Sequence, residues 1–327
     1  MGLIEEIRNK AKTVKKKIVL PESDDDRTIE ALDYILDQGI AKIILIGKEE
    51  VKSKIKSKNL KDLELIDPET YKDTDRIASE YYELRKLKGV TPEEAKETIR
   101  KDRLIFSGML VRRGTADGFV AGANHTTADT VRAALRSLRI DKNIGVVSGA
   151  FLMVVPNSHY GDHGAFIFAD CGVNPEPNAR QLSGIAVSNA DLFRKLTGKK
   201  PVVAFLSYSS KGSAEGPLVD KMKEAVERAR EASPGLLVDG EFQVDSAIVP
   251  EVAAIKCPGN EVAGKANVLI FPDLNSGNIS YKMTQRLANA RAVGPLLTGF
   301  TKPASDLSRG CDAEDIIDAV AVTAIRA

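Results

Sequence analysis

The densest group of chemically capable side chains runs from Lys302 to Asp315, KPASDLSRGCDAED. Within a few residues it offers a hydroxyl (Ser308), a permanent cation (Arg309), a thiol (Cys311) and a carboxylate (Asp315). Such a set can take a proton, offset developing negative charge and, through the thiol, attack an electrophile. The stretch runs straight into the apolar segment Ile316–Arg326, so Asp312 and Asp315 also read as an N-cap and the third helical position of a capping box. Capping and catalysis both remain open for Asp315, as do a surface ion pair with Asp306 and anion binding for Arg309.

Other positions invite similar weighing. The loop Ala123-Asn-His-Thr-Thr127 places His125 before a helix, Ala128–Leu138, whose Arg132 is either a surface ion pair or an anion ligand. The loop Tyr208-Ser-Ser-Lys-Gly-Ser-Ala-Glu-Gly216 lies between a buried-type strand and a helix opened by Pro217. Ser209, Lys211, Gly212 and Ser213 there could cradle a phosphate with amides, hydroxyls and one cation, or form an ordinary polar loop. The order is not that of a P-loop, and no G-x-G-x-x-G follows a strand. The loop Pro272–Asn278 offers Asn278, with Lys282 expected in the first turn of a helix over 279–289. Asp239, Glu241 and Asp245 form the acidic cluster, read as divalent-cation ligands or as solvated acids and caps. His159 and His163 have metal-like spacing, but Tyr-Gly-Asp between them predicts a loop rather than a helix.

These residues need a scaffold, and the patterning predicts one. Ile18–Leu20, a helix carrying Ile29, Leu32, Ile35 and Leu36 on one side, and Lys42–Gly47 form a βαβ unit, which implies a parallel sheet. Helices follow over 73–88, 92–101 and 103–113, the middle one opening at Thr91-Pro92 with a glutamate three residues after the cap. Asp117–Gly122 reads as a further strand. Val146–Val155 and Ala165–Cys171 read as an antiparallel hairpin around a turn-rich connection. A helix over 178–196, strands over 201–207, 236–239 and 266–271, and helices from Pro217 and over 245–256 complete an α/β pattern.

The chain has 327 residues, enough for about two domains. A charged fraction of 28% balanced to a formal net charge of +1 supplies no field for nucleic acid or an anionic membrane. Three widely spaced cysteines, with no C-x-x-C pair, fit a reducing cytosol. The N-terminal run MGLIEEIRNK has charges where a signal peptide needs its apolar core, so export is not expected. The longest nearly apolar run, about twelve residues, is too short to span a bilayer. A cytoplasmic protein without nucleic-acid or membrane partners is expected.

Several stretches in register carry a resemblance across essentially the whole chain. PESDDDR (21–27), ADTVR (128–132), SYSSKGSA (207–214), DGEFQVD (239–245), AGKAN (263–267), FPDLNSGNI (271–279) and KPASDLSRG (302–310) are similar to the phosphate acetyltransferase, or phosphotransacetylase, family. The resemblance implies transfer of an acetyl group between acetyl phosphate and coenzyme A, releasing inorganic phosphate in the forward transfer, with no metal and no cofactor beyond the substrates. It implies two α/β domains with a central cleft, related in fold to isocitrate and isopropylmalate dehydrogenases, and a homodimer. The boundaries expected are 1–140 plus 300–327 for one discontinuous domain and 141–299 for the other. Asp315 then becomes the base, Ser308 and Arg309 stabilise the transition state, and Arg85 and Arg132 bind coenzyme A. Ser209, Lys211, Gly212, Ser213, Asn278, Lys282 and His125 complete the expected substrate contacts.

A coenzyme A thiol, with a pKa near that of cysteine at about 8.5, is mostly protonated at neutral pH, which is why a base is needed. A desolvated setting that raises the Asp315 pKa would suit that task. Competing readings are a ping-pong route through Cys311, a metal-dependent hydroxy-acid dehydrogenase, a non-catalytic acyl-coenzyme A sensor and phosphate butyryltransferase.

Overall fold

The computed structural model describes residues 2–327. The chain divides into two compact units, Met1–Arg139 with Phe300–Ala327, and Ile140–Gly299. The first segment of unit 1 contains α1 (Leu3–Val14), β1 (Lys17–Leu20), α2 (Asp26–Gln38), β2 (Lys42–Ile46), β3 (Leu63–Ile66), α3 (Thr74–Arg85), α4 (Pro92–Lys101), α5 (Arg103–Arg113), β4 (Gly118–Ala121) and α6 (Thr127–Ser137). Unit 2 contains β5 (Ser148–Val154), β6 (Ala165–Ala169), α7 (Ala179–Thr197), β7 (Val202–Leu206), α8 (Pro217–Ala232), β8 (Leu237–Phe242), α9 (Val244–Ile248), α10 (Pro250–Lys256), β9 (Val268–Ile270), α11 (Leu274–Leu287) and β10 (Arg291–Thr298). The chain re-enters unit 1 with β11 (Ala304–Asp306) and α12 (Ala313–Arg326).

In unit 1 the strand order is β3-β2-β1-β4-β11, every pair parallel. Strands β1, β2 and β4 are short, largely apolar and mostly buried, as expected when helices cover both faces of a parallel sheet. From β1 the order runs outward to β2 and β3 on one side and to β4 on the other. The β1–β4 seam is therefore the topological switch point, where loops leave the strand ends in opposite directions. Helix α12 is buried over Ile316–Ala324 and packs against α1, α2 and β4. Its one internal carboxylate, Asp318, accepts from Arg8 Nε of α1 at 2.7 Å, which ties the last helix to the first.

Unit 2 has the strand order β10-β5-β6-β9-β7-β8. β5 is antiparallel to β10 and β6, and the remaining pairs are parallel. The expected hairpin is thus present as β5–β6. Other boundaries move for local reasons. The stretch expected as one helix over 245–256 divides into α9 and α10 at Pro250, which occupies the first position of the second piece. The helix expected from 279 begins at Leu274 because Asp273 caps it, accepting from Ser276 N at 2.9 Å. Asn278 therefore lies inside α11, and Lys282 sits well beyond its first turn. β10 carries Pro295 at a register shift between Val293 and Leu296, where a missing N–H is tolerated.

Candidate active site

Three loops of unit 1 leave the C-terminal ends of the neighbouring parallel strands β1, β4 and β11, and each leads into a helix N-terminus. Asp25 caps α2 by accepting from Arg27 N. Thr126 caps α6 in a capping box with Asp129, and Asp312 caps α12 in a capping box with Asp315. The arrangement directs three sets of helix-end N–H groups to one end of the sheet, a setting that favours anions.

Arg27 joins the loops. Its Nη1 donates to the carbonyls of Arg309 and Cys311, both at 2.8 Å, and its Nη2 donates to the Ala123 carbonyl. Nε and Nη2 also engage the two oxygens of Asp25, at 3.0 and 2.7 Å. All five guanidinium N–H donors thus have acceptors within the protein. This fork fixes the backbone of the Ser308–Cys311 turn relative to the β4 loop. It also pulls Asp25 below the usual carboxylate range, the hydrogen bond from Arg27 being the main cause.

On that turn Ser308, Arg309 and Gly310 are exposed, while Cys311 is buried. The Ser308 carbonyl accepts from Cys311 N at 2.8 Å, and Ser308 Oγ accepts from Gly310 N at 3.3 Å. Asp315, partly buried, accepts from Asp312 N through Oδ2 at 3.1 Å, so the capping reading describes its ground-state geometry. Burial pushes the Cys311 thiol up to about 11, with nearby Arg27 opposing, so it is held as the thiol at neutral pH.

Unit 1 has a cavity of about 530 Å³ whose lining includes Lys101, Arg103, His125, Asp129, Arg132 and Arg136 but none of the turn's own residues. That size suits a sizeable ligand. Arg132 pairs with Asp129 at 2.7 Å, but both are about half exposed, and such a pair is weak and easily exchanged for a ligand. Arg85, the last residue of α3, is not part of that lining, although it and Arg136 both act electrostatically on the buried Tyr81 phenol. Its Nε is buried without a hydrogen-bond partner.

The remaining expected contacts belong to unit 2, where their polar groups are largely engaged internally. Lys211 Nζ donates to Asp239 and to the Gly240 carbonyl, both at 2.8 Å. Glu241 accepts from Ser209 Oγ at 2.9 Å and Gly212 N at 2.8 Å, while Ser213 Oγ accepts from Ser210 N. Asn278 donates to the Cys171 carbonyl, and the Lys282 amine lies 5.0 Å from the Tyr281 ring centroid. In the acidic cluster, burial pushes Asp239 upward, but hydrogen bonds from Lys211 and Asn260 outweigh it and hold the carboxylate low. Asp245 pairs with Lys256. His159 and His163 are exposed on the β5–β6 connection, and no group of three or more potential ligands among the described residues is placed to hold a metal.

A model of the family described as phosphate acetyl/butaryl transferase matches residues 2–324. The chain belongs to that family. A relative named phosphate acetyltransferase from Thermoanaerobacterium thermosaccharolyticum is 49% identical, with the alignment covering 100% of both chains. One from Acetivibrio thermocellus is 51% identical over 100% of this chain and 98% of its own. The fold is similar to the crystal structure of a phosphotransacetylase from Streptococcus pyogenes, with a TM-score of 0.91, 42% identity, and coverage of 99% of this chain and 97% of that one.

The surface ion pair weighed between Arg309 and Asp306 is not formed, because Asp306 is buried while Arg309 is exposed. Asp306 ends β11, is wholly buried, and neither carboxylate oxygen meets a donor in hydrogen-bonding geometry. Burial raises its pKa to about 6, with the Thr127 and Thr130 hydroxyls and Leu307 N near enough to oppose the shift. The native state therefore holds this proton more tightly than the unfolded chain does, so stability falls as pH rises from about 4 to about 6. Asp306→Asn should be more stable than the parent at pH 7.5, by on the order of 2–3 kcal/mol, and the difference should disappear near pH 4. Denaturant titrations across that range check it, and parallel profiles would contradict the assignment.

Proposed function

We propose that this acyltransferase moves an acetyl group reversibly between acetyl phosphate and coenzyme A. The observation that carries the reading is the family match over residues 2–324 on a chain that keeps Ser308 and Arg309 on one turn and Asp315 in the first turn of the helix that follows. Arg27 ties the Ser308–Cys311 turn to the β4 loop, and the same loop contributes His125 to a cavity lined also by Lys101, Arg103, Arg132 and Arg136.

In the thioester-forming direction, Asp315 takes the thiol proton as sulfur attacks the acetyl carbonyl. The new C–S bond forms, the carbonyl-carbon-to-phosphate-oxygen bond breaks, and phosphate leaves with the electron pair. Arg309 offsets charge on the carbonyl oxygen or the leaving phosphate, and Ser308 donates a hydrogen bond to the same centre. Arg27 holds the backbone of Arg309 and Cys311, and so the turn that carries Ser308, while the α12 N-terminus favours the anionic product. The atoms balance with the two substrates alone, so the proposed route calls on no further cofactor. Arg132 and Arg85, with Lys101 and Arg136, would bind the phosphates of coenzyme A. The unit 2 residues Ser209, Lys211, Gly212, Ser213, Asn278 and Lys282 would contact substrate only after exchanging their present partners.

Direct attack is favoured over an acetyl-cysteine route because Cys311 is buried with a raised pKa, unsuited to a nucleophile. Three free cysteines accord with a cytoplasmic location. On α11, Ile279, Met283 and Leu287 recur at helical spacing and are 56%, 53% and 78% exposed. We assign this apolar stripe to a homodimer contact.

Incubation with acetyl phosphate and coenzyme A should yield thioester rapidly and butyryl phosphate should react poorly. Asp315→Asn should lose at least about 10²-fold in kcat while folding normally, and Cys311→Ala should keep turnover. Coenzyme A binding without thioester from either acyl phosphate would contradict the catalytic reading and favour a sensor. Sedimentation at micromolar concentration should give the mass of a dimer, and a monomer would contradict the assigned contact.

A further inference from the structure

We propose that Glu22 is a positioning residue that holds His125 as an anion-binding group of the cavity, so that Glu22 and His125 together set its affinity for the phosphates of coenzyme A. This rests on the substrate reading above. The residues concerned meet at the β1–β4 switch point from opposite sides: Glu22 follows β1, and His125 follows β4.

Glu22 is 2% exposed and collects donors from four consecutive residues of the β4 loop. Its Oε2 accepts from Gly122 N at 2.9 Å and Ala123 N at 2.8 Å. Its Oε1 accepts from Asn124 N at 3.1 Å and meets His125 Nδ1 at 2.6 Å. On its other side the loop is pressed against Leu307. Gly122 has φ +112°, and a Cβ there would lie 2.7 Å from the backbone N and O of Leu307. Because Nδ1 faces a carboxylate, it is the ring nitrogen that carries a proton in either state. Nε2 is then the atom that titrates, on a side chain 38% exposed that lines the cavity.

The charges around the ring act in both directions. Its hydrogen bond to Glu22 raises the His125 pKa most; burial opposes, and Glu22, Asp102 and Asp129 add favourable fields. Asp24 lines the same cavity and favours the cation, while Lys101, Arg103, Arg132 and Arg136 line it and disfavour a further positive charge. A bound phosphate would remove much of that repulsion. With the folded pKa raised, the cationic ring is present below and through the ordinary histidine range and is lost as pH rises above it. A simple loop-capping role for Glu22 would produce no such pH dependence in ligand affinity.

The test is calorimetric titration of coenzyme A between pH 6 and pH 9 into the full chain, His125→Gln and Glu22→Gln. The parent should bind roughly tenfold more tightly than His125→Gln at pH 6.5, the scale of one charge-assisted hydrogen bond, and the gap should close by pH 9. Comparing the two proteins at each pH cancels titration of the ligand's own phosphate. In Glu22→Gln the gap should close at lower pH. The chain has three histidines, so the His125 ring proton resonance is assigned by its loss in His125→Gln, and its titration should move down in Glu22→Gln. An unmoved titration, or equal coenzyme A affinity in parent and His125→Gln at every pH, would overturn the proposal. If Glu22→Gln does not fold, the parent and His125→Gln comparison decides alone. Absence of acetyl transfer with His125-dependent binding intact would sink the functional reading and leave this pair standing, whereas normal transfer with His125-independent binding would do the reverse.

Discussion

The Arg27 guanidinium is the contact on which the candidate site depends. A planar fork with five donors can hold several backbone carbonyls at fixed angles, which a lysine ammonium cannot reproduce. Here the fork reaches the carbonyls of Ala123, Arg309 and Cys311 while Asp25 anchors its other edge. Because its donors are satisfied internally, Arg27 acts through the groups it positions. The exposed Ser308 and Arg309 side chains otherwise stand on a turn with few contacts of its own.

The rest of unit 1 makes that contact possible. Three short parallel strands set the loops side by side, and capping residues start each helix at the strand end. Helix α12, buried along most of its length and tied to α1 through Asp318 and Arg8, fixes the far side of the turn. Two buried carboxylates flank the β4 loop with different outcomes. Glu22 has donors at both oxygens, whereas Asp306 lacks hydrogen-bonding geometry and has a raised pKa. Gly122 lies between them because its backbone approaches Leu307 too closely for a side chain.

Much of this was legible in the sequence where the controlling interactions are local. The β1–α2–β2 unit, the capping boxes at Thr91 and Asp312, and the β5–β6 hairpin follow from neighbours a few residues apart. The Asn-Ser-Gly-Asn run that reads as loop is helical because Asp273 caps it, a local signal that the weak helix propensity of the run conceals. The Ser/Lys/Gly loop at 208–216 looks like an open anion cradle, yet Asp239 and Glu241 supply acceptors from a strand about thirty residues on. Glu22 and Arg27 lie within a recognised stretch, but their partners are roughly 100 and 280 residues away. Only folding could assign those roles.

The most direct test of the positioning account is steady-state kinetics of Arg27→Ala with and without added guanidinium, on protein whose folding is verified by its melting transition. Displacing the Ser308–Cys311 turn by about an ångström should lower kcat by roughly 10²-fold, and millimolar guanidinium should restore part of it. Unchanged kcat in folded Arg27→Ala, or a loss that guanidinium leaves untouched, would contradict the claim that this side chain holds the turn in its working geometry.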